Sequence, residues 1–400
     1  MHKGKIIISG TGCALADFLY ANVSFSSDTF KKYQSRKSGD GGLSPGRLVF
    51  TEELEKYSGC NYKTILGEIT GGKGPDCFNI GGPSLVSLIH TSQMLDPASF
   101  TVRFFGTAGR DDTGRKILSQ AGKTPLNIEN YLTTGTKASP FTDVLSDPLY
   151  NNGHGERTFV NNIGAAWDYQ PELLEKDFYD SDIVCFGGTA LVPMIHDNLT
   201  SILGKAKKRG CITVVNTVFD FRNEKNDPGA PWPLGKSRES QALIDILIMD
   251  REESFKISGQ STLEDAAACF VASGVSSFII TDGANDLYAW SSGAFFGKTG
   301  LMQFPVSSKV TTDLSTNPEL RGDTTGCGDN FAGGVIASVA MQMKDKKVAQ
   351  PDLFEALSWG VASGGFCCYS LGGTYMEKSS GEKRKLVLEL QKYYLRQIRK

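Results

Sequence analysis

Six short apolar runs, separated by segments of helical period, constrain this chain more than any other feature. They are KIIISG (5–10), TVRFFG (101–106), DIVCFGG (182–188), CITVVN (211–216), IDILIM (244–249) and SFIITDG (277–283). Runs this short and this continuously apolar suit strands buried on both faces. Between them lie PSLVSLIHTSQML (83–95), with Pro83 at a first-turn position, TGRKILSQAG (113–122), LTSILGKAKKRG (199–210) and TLEDAAACFVASG (262–274). The last three close on Gly122, Gly210 and Gly274, as helices commonly do. Strands alternating with helices predict a mostly parallel sheet covered on both faces.

Two regions depart from this rhythm. Residues 23–75 are polar and glycine-rich, with SGDGGLSPG near the middle. Residues 137–163 read as a hairpin, KASPFTDVLSD and ERTFVNNI joined through PLYNNGHG. Alternation along the second arm sets Thr158, Val160 and Asn162 on one face and Phe159, Asn161 and Ile163 on the other. Such strands have no place in a parallel core. They predict a small separate sheet serving as a lid or an interface. The tail KRKLVLELQKYYLRQIRK is a basic amphipathic helix, expected to be a solvated terminal element.

Charge argues against nucleic acid or an anionic membrane as partner: 42 Lys and Arg stand against 44 acids, a net charge of −2. The nine cysteines include no C-x-x-C pair, and the four histidines stand far apart in sequence. That pattern reads as reduced thiols in a cytoplasmic protein rather than a disulfide frame or a zinc site. No apolar run reaches signal or membrane length. Two motifs are decoys. GTGCALA (10–16) fits the dinucleotide fingerprint G-x-G-x-x-A, but no helical period follows it. GEITGGKG (67–74) imitates a phosphate loop, but Gly74 stands where a hydroxyl should reach magnesium.

The chemistry concentrates in RGDTTGCGDNFAGG (321–334). Small and apolar residues at helical spacing follow Gly328, so the glycines sit at a helix N-terminus. Unpaired N–H groups and the helix dipole make such a terminus an anion site. Gly326 and Gly328 let a ligand oxygen approach the backbone. Asp329 within this turn suits a general base for a hydroxyl attacking a phosphoryl group. An isolated aspartate there would read as a helix cap; the glycines and a second acid, Asp323, favour the base.

GDTTGCGDNFAGG resembles the D-T-x-G-A-G-D signature of the ribokinase-like (PfkB) carbohydrate kinases. Further likenesses follow in the family's order along nearly the whole chain. GTGCALAD (10–17) is similar to the family's first strand, which implies that Asp17 grips substrate hydroxyls. NIGGPS (79–84) resembles its glycine pair, here Gly81 and Gly82, and GTAGRDDTG (106–114) its G-x-x-G-x-D-x-x-G turn. GERTFV (155–160) resembles its lid strand, DREES (250–254) its N-x-x-E, and TDGAND (281–286) its T-x-G. The resemblance implies an α/β/α sandwich with a mostly parallel central sheet and a small β-sheet lid. The Rossmann-like core would take residues 1–19, 76–136 and 164–400, with 20–75 an insertion contributing to the lid and 137–163 the lid itself.

The resemblance also implies a kinase using ATP and magnesium to phosphorylate a hydroxymethyl group of a sugar or nucleoside. Asp329 would be the base and the amides of Gly326, Cys327 and Gly328 the anion hole. Glu253 and Asp250 would organise magnesium-bound water, Thr281 and Gly283 would approach the nucleotide, and 359–373 would help wall the adenine pocket. A potassium-type ion near the anion hole is common in the family.

Departures from the pattern bear on the substrate. Cys327 replaces the usual alanine, Asp250 the usual asparagine, and Val86 the substrate-facing asparagine that often follows the glycine pair. At a helix N-terminus the dipole draws the Cys327 thiol toward thiolate and Asp329 opposes it; the other reading, ranked slightly ahead, is a buried alanine substitute with no reactivity. Arg157, Arg222 and Arg321 could each read an anionic group on a substrate or serve structure alone. A sugar ranks ahead of a nucleoside, although GGLSPGRLVFTEELE (41–55) resembles adenosine-kinase-like relatives. A non-catalytic binding member of the fold is the reading from another class. The chain is expected to act as a monomer or a lid-mediated homodimer.

Overall fold

Continuous apolar strands need cover on both sides, and the computed structural model supplies it. It describes residues 4–37, 39–174, 176–322, 324–345 and 349–399. The strands are β1 (Ile6–Gly12), β2 (Leu15–Tyr20), β3 (Leu48–Phe50), β4 (Cys77–Gly81), β5 (Phe100–Gly109), β6 (Asn127–Thr134) and β7 (Phe141–Asp147). They continue with β8 (Glu156–Asn162), β9 (Ile183–Gly187), β10 (Ile212–Asn216), β11 (Ile246–Asp250), β12 (Ser277–Thr281), β13 (Leu287–Ser291) and β14 (Met302–Phe304). A nine-stranded sheet runs β14-β13-β12-β11-β10-β9-β1-β5-β6, and a five-stranded sheet runs β3-β8-β7-β2-β4. In the large sheet every pairing from β6 to β12 is parallel; β13 and β14 join antiparallel at one edge.

Successive residues of the central strands enter different cores. Ile183 and Cys185 of β9, Ile246 and Ile248 of β11 and Ile279 of β12 face one core. The helices that cover it include Pro83–Met94, Asp112–Ala121, Cys327–Lys344, Leu353–Cys367 and Glu382–Ile398. Val184, Phe186, Leu247, Met249, Phe278 and Ile280 face the other, covered by Leu199–Lys208, Arg251–Ser258 and Leu263–Ala272. This is the three-layer α/β/α arrangement expected. Each of the six apolar runs became a strand. In the large sheet the strands that escaped the reading, β6, β13 and β14, lie toward the edges, where partial exposure leaves no continuous apolar run; in the small sheet β2, β3 and β4 escaped it too.

Strand order reverses at β1. The chain proceeds outward to β5 and β6 on one side, then returns to β9 and moves outward through β10, β11 and β12 on the other. The carboxyl ends of strands flanking such a reversal form a crevice. Three segments cross there without intervening side chains. A Cβ on Gly12 would stand 1.9 Å from the Gly187 carbonyl oxygen, and one on Gly187 would stand 2.6 Å from the Ser84 Cα. The peptides of Cys13 stitch the crossing: its N–H donates to Gly187 O at 2.8 Å, and its carbonyl accepts from Ser84 N–H at 3.1 Å.

The small sheet departs from the expected boundaries. It recruits β2 and β4, so Asp17 stands on a second strand in the smaller sheet rather than on β1, while Leu15, Ala16 and Ile80 of these strands still pack into the core. The turn at Cys13 and Ala14 redirects the chain between sheets, and no helix follows GTG, which disposes of the dinucleotide motif. The polar 23–75 region contributes β3 to the small sheet and forms helices Asp28–Tyr33, Thr51–Ser58 and Tyr62–Thr70. Phe30, Tyr33, Leu54 and Ile65 from these helices bury the outer lid face at Tyr20, Val49, Leu145 and Val160. The terminal helix is not merely solvated: Lys383, Val387, Leu390, Gln391 and Tyr394 are buried in one stripe. Among the described residues no helix is long and apolar enough to cross a membrane.

Gly12→Ala combines a disfavoured φ of +137° with the 1.9 Å clash. Strain and overpacking together should cost at least about 2 kcal/mol. Urea unfolding checks this, and an unchanged midpoint would show that the crossing tolerates a side chain.

Candidate active site

The glycine-rich turn folds as its sequence demands. Gly326 caps the helix Cys327–Lys344 with φ +76°, a left-handed conformation. A Cβ on Gly326 would lie 2.4 Å from the Gly373 Cα, so the turn packs backbone to backbone against residues 368–373. First-turn N–H groups lack partners within a helix; that of Cys327 closes a turn onto Thr324 O at 3.3 Å. Gly328 is exposed, and a Cβ there would meet nothing within 4 Å. Asp329 is the third helical residue and only partly accessible. Burial pushes its carboxyl up to about 7. A cap carboxylate stabilised by the dipole would shift the other way. Asp323 lies outside the described residues.

The carboxyl ends of β11 and β12, on the same side of the sheet, carry further polar residues. Asp250 ends β11 and Glu253 lies in the helix that follows. The two form a reciprocal cap: Glu253 N–H donates to Asp250 Oδ1 at 2.8 Å, and Asp250 N–H donates to Glu253 Oε2 at 3.0 Å. Thr217 Oγ1 also donates to Glu253 Oε2, at 2.5 Å. Burial first, then the charge of Asp250, lifts Glu253 to about 7, and Asp329 adds to the shift. Burial likewise raises Asp250. The three carboxyls therefore share one electrostatic region. Thr281 sits beside Asp250 in the parallel register, and Gly283 follows with φ +57° and open space around it.

The lid contributes a polar row. In register, Asp17 pairs with Asn79 of β4 and Thr142 of β7, and Thr142 pairs with Asn161 of β8. Four polar side chains thus share the face opposite the buried outer one. Gly81 leaves room for Asp17: a Cβ there would lie 2.0 Å from its Oδ2. Gly82 adopts φ +93° against Cys13 and Ala14, opening the Pro83–Met94 helix. Both Asp17 and Asp329 raise the thiol of buried Cys13, after burial itself. Asn79 Nδ2 donates to Leu371 O at 3.1 Å, next to the loop that backs Gly326. Arg157, on the Asn161 face of β8, donates to Thr325 Oγ1 at 3.3 Å and so spans the small sheet and the glycine-rich turn.

Several expectations change. Cys327 is not drawn toward thiolate: hydrogen bonding with Cys367 and Cys368, then burial, holds its thiol well above the usual range, with the Cys368 sulfur 3.5 Å away. Most of 359–373 packs helix on helix, Gly360 against Phe331 and Val335, with Trp359 in the core. From Gly364 onward the stretch reaches the turn: a Cβ on Gly364 would lie 3.1 Å from Cys327 O, and Cys367 Sγ donates to Thr325 O at 3.3 Å. Val86 is buried against Gly373. Arg222 pairs with Asp197 and covers Trp167, so it is structural, and Arg321 is exposed.

The sequence reading missed Asn216, Asn79, Thr142 and Asn161 as site candidates. Asn216 ends β10 at the reversal, is 4 % exposed, and its Oδ1 has no partner. A polar residue closing an apolar strand was the signal available. Asn161 is 1 % exposed; its Nδ2 donates to Thr142 Oγ1 at 2.9 Å, while its Oδ1 has no partner. Its place in the alternation was legible, but what that face meets was not.

A family model described as pfkB family carbohydrate kinase matches residues 91–379. Among solved structures, the chain is similar to an adenosine kinase from Schistosoma mansoni in complex with 2-fluoroadenosine. Identity is 18 %, TM-score 0.67, with 92 % of this chain and 97 % of that one covered. It is similar to an Anopheles gambiae adenosine kinase at 20 % identity and TM-score 0.63, covering 90 % and 94 %. It is also similar to Arabidopsis thaliana ribokinase complexed with ribose and ATP, at 15 % identity and TM-score 0.62, covering 97 % and 99 %. These likenesses establish the ribokinase-like fold.

A carboxyl raised to about 7 in the fold, against about 3.9 unfolded, destabilises the protein as pH climbs between those values. Asp329→Asn has no charge to desolvate. Its melting temperature should match wild type near pH 4, exceed it increasingly toward pH 7 and hold a constant lead above. Thermal unfolding across pH checks this; an equal difference at pH 4 and pH 8 would contradict it.

Proposed function

Because the chain belongs to the pfkB family of carbohydrate kinases, we propose that it transfers the γ-phosphoryl group of ATP to a hydroxymethyl group of a sugar. The observation that carries this reading is Asp329, a carboxyl with a pKa of about 7 at the open start of a helix. A base poised near neutrality is matched to proton abstraction. Asp329 takes the hydroxyl proton as the acceptor oxygen bonds to the γ-phosphorus. The bond from that phosphorus to the β-phosphate oxygen breaks, and ADP leaves with its electron pair. Charge on the moving group spreads over its oxygens, where the turn at Gly326, Cys327 and Gly328 and the helix dipole stabilise it. An intact base and turn favour catalysis over a purely binding role.

Magnesium suits the donors at the strand ends. Glu253 and Asp250 offer carboxylates and Asn216 an unpartnered amide oxygen, all hard ligands. Among the described residues no group of three or more His, Cys, Asp or Glu could hold a metal ion alone. An ion that arrives with the nucleotide and keeps most of its water fits that set, and bound there it would offset phosphate charge. Thr281 and Gly283 would meet the nucleotide beside it.

The acceptor reading rests on the lid row. Asn79, Asp17, Thr142 and Asn161 span four strands on one face, matching a ring that carries several hydroxyls. The orphaned Asn161 oxygen asks for a hydroxyl donor. The second reading is a nucleoside, favoured by the apolar row one step along the same face, Leu19, Val144 and Phe159. The outer lid face is covered by the chain's own helices, which favours a monomer over pairing through that face.

The test is ADP release with Mg·ATP and a panel of sugars, sugar phosphates and nucleosides. Turnover is expected with sugars, and preference for nucleosides would overturn the acceptor assignment. Asp329→Asn should lose about 10²–10⁴-fold in kcat while ATP binding survives, and retention of a tenth of the activity would reject the base.

Asp17→Ala removes a charge-assisted acceptor worth about 1.5–3 kcal/mol per bond. The kcat/KM for the acceptor should fall at least about tenfold, with the KM for ATP nearly unchanged. Wild-type kinetics would remove Asp17 from the site.

A further inference from the structure

A buried amine stands directly behind the catalytic turn, and the reaction as described does not use it. Lys383 lies near the start of the Glu382–Ile398 helix and is 1 % exposed. Its Nζ donates to Asn330 Oδ1 at 3.0 Å and to Gln93 Oε1 at 3.1 Å. Asn330, also 1 % exposed, follows Asp329 directly. Its Nδ2 donates to Gly326 O at 2.8 Å and to Gly373 O at 2.8 Å. Gln93 Nε2 donates to Tyr375 O at 2.8 Å. The amine thus reaches, through two amides, the cap of the catalytic helix and both ends of the segment 373–375 behind it.

We propose that Lys383 is a positioning residue of the phosphoryl-transfer site: it orients the Asn330 amide so that Gly326 stays tied to Gly373. The logic is one of donors and acceptors. With two protons or three, the Lys383 nitrogen offers N–H groups to both amide oxygens. An oxygen held toward Lys383 leaves the Asn330 NH2 pointing at the two carbonyls. A flipped amide would set its oxygen against Gly326 O and Gly373 O, two acceptors facing a third. The flip would therefore break both ties in a buried place where unmade bonds are expensive. Gly326 and Gly373 touch without side chains, so these bonds decide how the backbone lies. The first-turn N–H groups that receive the transferring phosphoryl inherit that orientation, and their value depends on being held in place beforehand. Burial lowers the Lys383 pKa to about 7, against the smaller opposing effects of Cys367 and Glu377; the backbone N–H of Lys383 donates to Glu377 Oε1 at 2.9 Å. His90, beside this group, is kept neutral by burial and by Lys383.

The inference rests on the kinase reading for its catalytic arm but not for its structural one. The experiment is Lys383→Met, examined by amide hydrogen exchange in the ligand-free protein and by kinetics. Exchange over 324–331 should accelerate at least tenfold while β12 stays unchanged. The kcat should fall at least tenfold, with KM values for ATP and acceptor within threefold of wild type. Lys383→Gln, which keeps a donor, should recover most of both. Local exchange and kcat at wild-type values in folded Lys383→Met would overturn the proposal. So would a loss confined to KM or a uniform rise in exchange, which mark a merely structural residue. Should Lys383→Met fail to fold, Asn330→Ala reads the same two carbonyl ties, and normal exchange over 324–331 in that variant overturns it. A wild type inert toward every acceptor would sink the kinase reading alone, because the exchange arm still decides the tether.

Discussion

The structure depends on a crossing of bare backbone. Gly12 at the end of β1 meets Gly187 at the end of β9, and Gly187 in turn meets the start of the Pro83–Met94 helix. Any side chain at these points would separate the strands at which the sheet reverses. The reversal is where a crevice forms, so the same constraint that closes the core also opens the site. The Cys13 carbonyl accepts the N–H groups of Ser84 and Leu85, two of the orphan donors at that helix start. The turn into the lid sheet begins at that residue. Core, lid and helix 83–94 are therefore referenced to one peptide.

Around this point the molecule gathers charge that it solvates poorly. Asp329 and Glu253 are both raised to about 7, chiefly by burial, and the charge of Asp250 further opposes ionisation of Glu253. Surroundings that disfavour charge on a carboxylate also strengthen every dipole aimed at an incoming anion. Burial of the Asp329 carboxyl costs stability as it ionises, a cost found at sites whose ionisable groups are held away from their ordinary values.

The lid shows how an insertion changes what a sheet can do. The helices of 23–75 bury the outer face through Phe30, Tyr33, Leu54 and Ile65. On the inner face polar residues align in one row and apolar residues in the next because register, not sequence neighbourhood, decides adjacency. Arg157 joins the row to the catalytic turn, so lid and core meet over the site itself.

Much of this was legible in the residues. The six apolar runs determined the central strands because burial on both faces leaves no other composition possible, and the glycines around Asp329 determined a helix start that can hold an anion. The hairpin faces followed from alternation, with Val160 buried on the outer side as its period requires. Tertiary structure alone decided the rest. Asp17 belongs to the lid sheet, not to β1, because a two-residue turn after Gly12 redirects the chain, and so brief a turn leaves no periodic trace. The Cys327 thiol is governed by Cys367 and Cys368, forty residues away in sequence, and not by the dipole of its own helix. Asn161 gained its partners from β7, and Lys383, a surface charge by composition, was buried by the docking of its helix behind the turn. Local sequence sets conformation through sterics and burial through period; which polar groups face one another depends on contacts between distant segments, and those exist only once the chain has folded.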